Sequence, residues 1–247
     1  MEKIVKKIRE AERAMSSLFS CVKPFSSHLD KWTDDILRDK YDHNGFQYSE
    51  QPDEEEFIKA FRYQRERGDD FIRLFGYSPL EDPFSLEEDI CLTMLLEGSF
   101  ENWCGNKDIY FKRPSLSEIQ ELDVKHFGES YGEDFCMRNA ERQYGTVEYI
   151  GAYLDGKIAG SCYYFSWSGL VCVDGLMVDT EFRNKKIGTG ILKEIGSRNP
   201  NSLMFLHADL DDTPKEMYKA LGFRAVDRSY DYLLSGDSII SYDKKYL

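Results

Sequence analysis

The nineteen residues from Val173 to Ile191, VDGLMVDTEFRNKKIGTGI, constrain this chain more than any other segment. An apolar run ends at Val178. A short polar connector follows, and then a cationic stretch, Arg183-Asn184-Lys185-Lys186. Gly188 and Gly190 open a segment whose apolar residues, Ile187, Ile191, Leu192 and Ile195, fall at helical spacing. The whole chain carries a formal net charge of −13, so three cations beside two glycines stand out from the background. Glycines let the backbone turn its N–H groups toward one point, and a helix start adds the positive end of its dipole. Strand, cationic turn and helix together read as a site for a polyphosphate. The plain alternative is a solvated strand-to-helix loop.

Two familiar phosphate loops do not fit. The G-x-G-x-x-G fingerprint needs a third glycine where Lys193 stands, and no G-x-x-x-x-G-K-[ST] run occurs. The segment resembles instead the R/Q-x-x-G-x-G/A loop of the GCN5-related N-acetyltransferases (GNAT family), which grips the pyrophosphate of coenzyme A. Arg183, Lys185, Ile187, Gly188 and Thr189 fall into register with it, and Gly190 takes the small-residue slot. The chain departs from the pattern at Lys185, where Gln or Arg is usual, and at Asn184 and Lys186, which replace common glycines. Asn tolerates a left-handed conformation, whereas Lys186 must either fit at negative φ or accept strain.

The strand before the loop is consistent with this. Leu170 to Val178 is almost continuously apolar, as for a strand buried on both faces, except at Asp174-Gly175. A glycine inside a strand marks either a bulge or a close packing contact, such as a crossing helix. The resemblance implies the former: two strands splay here, and the pantetheine arm pairs along the open edge through the backbone of Met177 and Val178. An N–H near Met177 would face the thioester oxygen.

A second match lies downstream. Leu203 to Ala208 reads as a buried strand, and Thr213-Pro214-Lys215-Glu216 as a capping box with a proline start. Met217 and Leu221 give the short helix an apolar face, and Gly222 ends it. The stretch Tyr218-Lys219-Ala220-Leu221-Gly222-Phe223 is similar to the family's Y-x-x-x-G-F signature. The resemblance implies that Tyr218 protonates the departing thiolate of coenzyme A; otherwise it is an amphipathic surface residue. Asp174 stands where several family members carry a general base, and equally could satisfy backbone donors at the bulge. His207, on the next strand, reads first as a hydrogen-bonded core residue. Asp211 stands where the family often has Asn.

Composition adds bounds. With 247 residues, 41% apolar and 14% aromatic, the chain is globular and can hold one large domain or two small ones. Six scattered cysteines without C-x-x-C spacing suggest neither a metal site nor a disulfide framework. The charged N-terminus lacks an apolar signal region, and no run approaches a membrane span, so a reduced cytoplasmic setting is expected. The acidic balance disfavours nucleic acid and suits cationic substrates.

The expected architecture is α/β (α+β). Residues 106–247 would form a GNAT acyl-CoA N-acyltransferase fold, a mixed, mostly antiparallel sheet flanked by helices. Its strands are expected at Ile109–Lys112, Val147–Leu154, Lys157–Trp167, Leu170–Val178, Leu203–Ala208, Phe223–Leu234 and Ser238–Tyr242. A capping box at Ser115 and Glu118 starts one helix, another spans Phe135–Gln143, and Asp155-Gly156 marks a hairpin. Residues 1–105 would form an N-terminal α/β domain, open to reading as a degenerate copy of the same half. A first helix runs from Ile4 to Leu18, an acidic helix covers Glu54–Arg65, and strands fall at Phe46–Ser49 and Phe71–Phe75; Ile90–Leu96 is strand or short helix. The functional expectation is an acetyl-CoA-dependent N-acetyltransferase using no metal, with a small-molecule or peptide amine as acceptor and no nucleic-acid or membrane partner; a homodimer stays open. The alternative is a noncatalytic acyl-CoA-binding sensor or interaction protein. A transferase using aminoacyl-tRNA is disfavoured by the cationic loop.

Overall fold

In the structure, a computed structural model describing residues 1–82, 84–211, 214–236, 238–239 and 242–243, local sequence chemistry sets most element ends. The elements of the first half are α1 (Glu2–Ser16), β1 (Cys21–Pro24), β2 (Leu29–Thr33), β3 (Gly45–Tyr48), α2 (Glu54–Arg67), β4 (Phe71–Gly76) and β5 (Glu87–Leu96). Those of the second half are β6 (Tyr110–Lys112), α3 (Leu116–Tyr131), α4 (Glu133–Tyr144), β7 (Glu148–Leu154), β8 (Lys157–Trp167), β9 (Leu170–Val178), α5 (Ile187–Arg198), β10 (Leu203–Asp209), α6 (Pro214–Ala220) and β11 (Phe223–Ser235). Ser115 caps α3, with Glu118 reaching back to complete the box. Asp155 and Gly156 turn β7 into β8 at φ 51° and 78°, the left-handed pair that a tight hairpin requires.

The chain forms two compact units. One comprises Met1–Glu12, Met94–His207 and Thr213–Val226; the other comprises Arg13–Thr93, Ala208–Asp212 and Asp227–Leu247. This partition interleaves along the chain and so differs from a single division at 105/106.

In the first unit, β6, β7, β8 and β9 pair antiparallel in that order, and β9 pairs parallel with β10. The pleat splits the side chains between two faces. Gly160 lies on one face, where a Cβ would sit 3.2 Å from Ile187 of α5. Tyr149 and Gly151 lie on the other, toward Gln143 of α4 and Pro114, which precedes α3. Ile187, Ile191, Leu192 and Ile195 of α5 are each at most 1% exposed. Burial of that stripe contributes about 1.5–3 kcal/mol per side chain and holds the start of α5 at the end of β9.

The second unit repeats part of this connectivity. β1–β2–β3 is an antiparallel run, α2 connects β3 to its parallel neighbour β4, and β4 pairs antiparallel with β11. Phe46, Phe57, Phe61, Ile72 and Leu74 fill its core. The β7–β8–β9–α5–β10 run follows the same path.

Several expectations change. β1 and β2 had not been foreseen, and Glu87–Leu96 is a strand throughout. The expected strand Ser238–Tyr242 falls partly outside the described residues, and Ser238, Ile239, Tyr242 and Asp243 are helical. Thr213, the expected cap of α6, also lies outside the described residues.

Candidate active site

The site begins with an irregularity in β9. Between the pairs Ser161↔Met177 and Tyr163↔Asp174, β8 advances two residues while β9 advances three. The extra residue is taken up around Gly175, whose φ is 59°. A Cβ there would lie 2.4 Å from a ring carbon of Tyr163, so conformation and packing both require glycine. The close neighbour is an adjacent strand's tyrosine, not a crossing helix. On the other side of β9, the ladder to β10 ends at Leu206↔Val173. Past that pair, β9 continues to Met177 and Val178, which pair with Ser161 and Gly160 of β8 on its other side.

The turn into α5 supplies the second part. Asp179 caps a 3-10 turn at Thr180–Phe182 by accepting the Glu181 N–H at 3.0 Å. Asn184 and Lys186 then both adopt left-handed conformations, at φ 61° and 57°. Lys186 therefore takes the strained alternative, in which its Cβ crowds the backbone. The first helical bond of α5 runs from Gly190 N–H to Lys186 C=O at 3.1 Å, which leaves the Ile187, Gly188 and Thr189 amides outside the ladder. Arg183, Asn184, Lys185 and Lys186 are exposed around these amides, and the Lys185 ammonium lies 4.9 Å from the Phe182 ring centroid. Exposed cations thus flank a helix start whose first amides lie outside the ladder, chemistry that suits an anion.

The two glycines have different neighbours. A Cβ at Gly188 would make ordinary contacts of 3.6–3.9 Å with Val178, Leu176 and Met217, where β9, α5 and α6 meet. A Cβ at Gly190 would lie 2.5 Å from Ile109, and Gly105 already approaches Gly190 closely. Gly190 thus keeps the helix close to its packing partners, and its own N–H is already engaged.

A clip that sequence reasoning missed holds the turn. Lys125 of α3 donates to Asp179 at 2.8 and 3.0 Å and to Glu181 at 3.2 Å. Asp179 is only 6% exposed. Burial pushes its carboxyl upward, but Lys125 and the Glu181 amide outweigh this and hold it below the usual value. Next to Lys125, the Nε2 of His126 is buried without a hydrogen-bond partner. The sequence offered one usable cue, an Asp immediately before an acidic 3-10 turn; the 54-residue separation of Lys125 from Asp179 hid the other half.

Asp174 accepts the Gly175 N–H at 2.6 Å, so it does satisfy a donor at the bulge. By register it shares a row with Tyr163 and Tyr149, whose rings lie 5.6 Å apart, and Tyr149 donates to Gln143 at 3.0 Å. Burial, followed by the carboxylates of Asp123 and Asp174, pushes the Tyr149 phenol upward, so it stays protonated. Tyr218 is 7% exposed and lies edge-on to Phe223, so it is not an amphipathic surface residue. The His207 ring bonds Glu12 of α1 at 2.8 Å through Nε2. Burial opposes charge on His207, but its bonds to Cys172 and Glu12 prevail and hold its pKa well above the usual value. A histidine engaged in this way is a hydrogen-bonded structural residue, as the core reading expected. Asp211 is exposed in the turn after β10. Among the described residues, no cluster of His, Cys, Asp and Glu could hold a metal ion, and no helix is long and apolar enough to cross a membrane.

The family model described as an acetyltransferase (GNAT) domain matches residues 145–225, from the end of α4 into β11. Residues 145–225 are a GNAT acetyltransferase domain. No curated protein matches the chain in sequence. Among solved structures, a conserved Staphylococcus epidermidis ATCC 12228 protein of unknown function superposes with a TM-score of 0.75 at 16% identity, over 88% of this chain and 94% of that one. A GCN5-related N-acetyltransferase from Kribbella flavida gives 0.60 at 13% identity, over 95% and 97%. A tandem GNAT protein from the clavulanic acid biosynthesis pathway gives 0.55 at 12%, over 84% and 78%. At these identities the structures establish the fold alone.

That fold gives the second unit a useful contrast. α2 occupies the same place in its β–α–β path as α5 does in the GNAT domain, yet its mouth is chemically reversed. Asp53 accepts the Glu56 N–H at 2.8 Å, Glu56 reaches back to Asp53, and Glu54 and Glu55 crowd the first turn. A capped, acidic helix start is unfavourable for an anion, whereas the start of α5 has no side-chain cap and is flanked by cations.

Proposed function

We propose that this chain is an acetyl-CoA-dependent N-acetyltransferase that acylates a primary amine by direct attack, without a covalent enzyme intermediate. The observation that carries this reading is the conjunction at the end of β9: a strand edge past Val173 without a β10 ladder partner, next to the uncapped amides and cations that start α5. These residues fit a long carrier with an amide arm and a diphosphate. Bound acetyl-CoA supplies an acyl carbon activated as a thioester.

The amides of Ile187, Gly188 and Thr189, with Arg183, Lys185 and Lys186, hold the diphosphate. The backbone of Met177 and Val178 orients the arm, and an N–H near Met177 faces the thioester oxygen. An ammonium with a reference pKa near 10.4 costs roughly 4–5 kcal/mol to deprotonate at pH 7. Asp174 accepts that proton through a water. Tyr218, buried beside Met217 on α6, donates its phenolic proton to the departing thiolate.

Thiol release from acetyl-CoA across a panel of amines tests the reading, with calorimetry of coenzyme binding beside it. Release with at least one amine supports the enzyme. Binding without release from any amine would favour a noncatalytic acyl-CoA sensor, and absence of binding would remove both.

A further inference from the structure

Ile119 and Leu122 of α3 are buried, and His126 continues that stripe one turn further along. The neighbouring Lys125 is tied to Asp179 and Glu181 at the head of the anion-binding turn, which fixes this part of α3 beside it. The Nε2 of His126 is buried with no protein partner. A buried imidazole nitrogen without a partner is costly, and such atoms call for a missing group.

We propose that His126 is a ligand of the bound diphosphate: Nε2 donates a hydrogen bond to a phosphate oxygen, and the imidazole takes up a proton from solvent as the diphosphate arrives. The inference rests on the coenzyme-binding reading above and adds a residue outside the loop itself. The charged groups facing the ring are Asp179 at the end of β9, Lys125 on its own helix and Arg183 in the turn. Burial acts first to lower its pKa; Asp179 opposes this, and Lys125 and Arg183 add to it, so the unliganded imidazole is neutral near pH 7. A diphosphate brings negative charge to the same place and reverses that balance, since opposite charge at close range shifts a titrating group by about 1–3 pH units. Coenzyme affinity should therefore strengthen as pH falls through the histidine range.

The probe is dephospho-coenzyme A, which keeps the diphosphate but lacks the 3′-phosphomonoester that itself titrates near pH ~6. Calorimetry at pH 7 in two buffers of different ionisation enthalpy should show net proton uptake by the wild-type protein. His126→Gln keeps a donor without a titration, so uptake should vanish while part of the affinity survives. His126→Ala should bind roughly 5–20-fold more weakly. The chain has four histidines, so the His126 ring resonance can be followed in the intact wild-type protein by NMR, and its titration midpoint should rise on binding. Unchanged uptake and pH dependence in His126→Gln, or an unmoved His126 midpoint in a wild-type protein that binds the probe, would overturn the inference alone. A midpoint that rises with pantetheine alone would overturn the diphosphate assignment in favour of the amide arm. A wild-type protein that does not bind the probe removes the coenzyme reading itself.

Discussion

Lys186 carries two opposing effects that substitution can separate. Its left-handed backbone, φ 57° and ψ 28°, costs a side-chain-bearing residue about 1–2 kcal/mol. Lys186→Gly removes that strain but gives back about 0.5–1 kcal/mol of backbone entropy in the unfolded chain. The net expectation is a protein more stable by about 0.5–1 kcal/mol, or roughly 1–4 °C in Tm for a chain of this size. The same change removes one cation from the anion site. At roughly 6–8 Å and a high effective dielectric, that charge contributes about 0.5–1 kcal/mol toward a phosphate, a 2- to 5-fold change in affinity. Lys186→Gly should therefore be more stable yet bind coenzyme A more weakly, with a shallower salt dependence. Lys186→Ala loses the same charge but keeps the left-handed strain, so it should bind equally weakly without the gain in Tm. Thermal unfolding and calorimetry at low and high salt measure both effects. If Lys186→Gly is no more stable than Lys186→Ala, the strain argument is wrong; if neither loses affinity, the cation is not part of the site.

Other residues give simpler expectations. Gly190→Ala drives a methyl into Ile109 and should cost about 1–3 kcal/mol in urea unfolding, whereas Gly188→Ala, which meets only ordinary contacts, should unfold within about 1 kcal/mol of wild type. Lys125→Met should lower Tm at pH 7, because Asp179 is left charged and poorly solvated. Since the folded carboxyl titrates below its unfolded value, its contribution is complete above about pH 4 and disappears as pH falls through the lower folded value, so the Tm difference should shrink in acid. Tyr218→Phe should lower turnover about 100-fold or more with coenzyme affinity nearly unchanged, as for loss of a general acid; unchanged turnover would remove it from the reaction.

Much of the local structure of the candidate site could be read from the sequence because its pieces are contiguous. The β9 run, the Asp174-Gly175 interruption and the Arg183–Gly190 turn lie within one short segment, and local rules govern each. The Asp155-Gly156 hairpin and the Ser115 capping box were legible for the same reason. Lys125 and His126 were not, because an exposed-looking lysine and a single histidine on an amphipathic helix acquire meaning only when α3 is laid beside the turn. Asp174 shows the limit from the other side. It accepts the Gly175 N–H, as the structural reading expected, and its register also places it in the row with Tyr163, so two roles that the sequence left level meet at one residue. β1 and β2 escaped notice because Cys21–Pro24 and Leu29–Thr33 are short, carry charges and lack a clean alternation. The second unit's relation to the GNAT domain was suggested only loosely by the sequence. The two units share part of their strand–helix–strand path, and α2 starts with an acidic cap where α5 starts with cations.

A crystal structure of the protein with coenzyme A tests the central claim most directly. The account predicts diphosphate oxygens within hydrogen-bond reach, about 3 Å, of the Ile187, Gly188 and Thr189 amides, with the pantetheine arm along Met177 and Val178. A diphosphate bound elsewhere, with those amides turned away from it, would contradict the account.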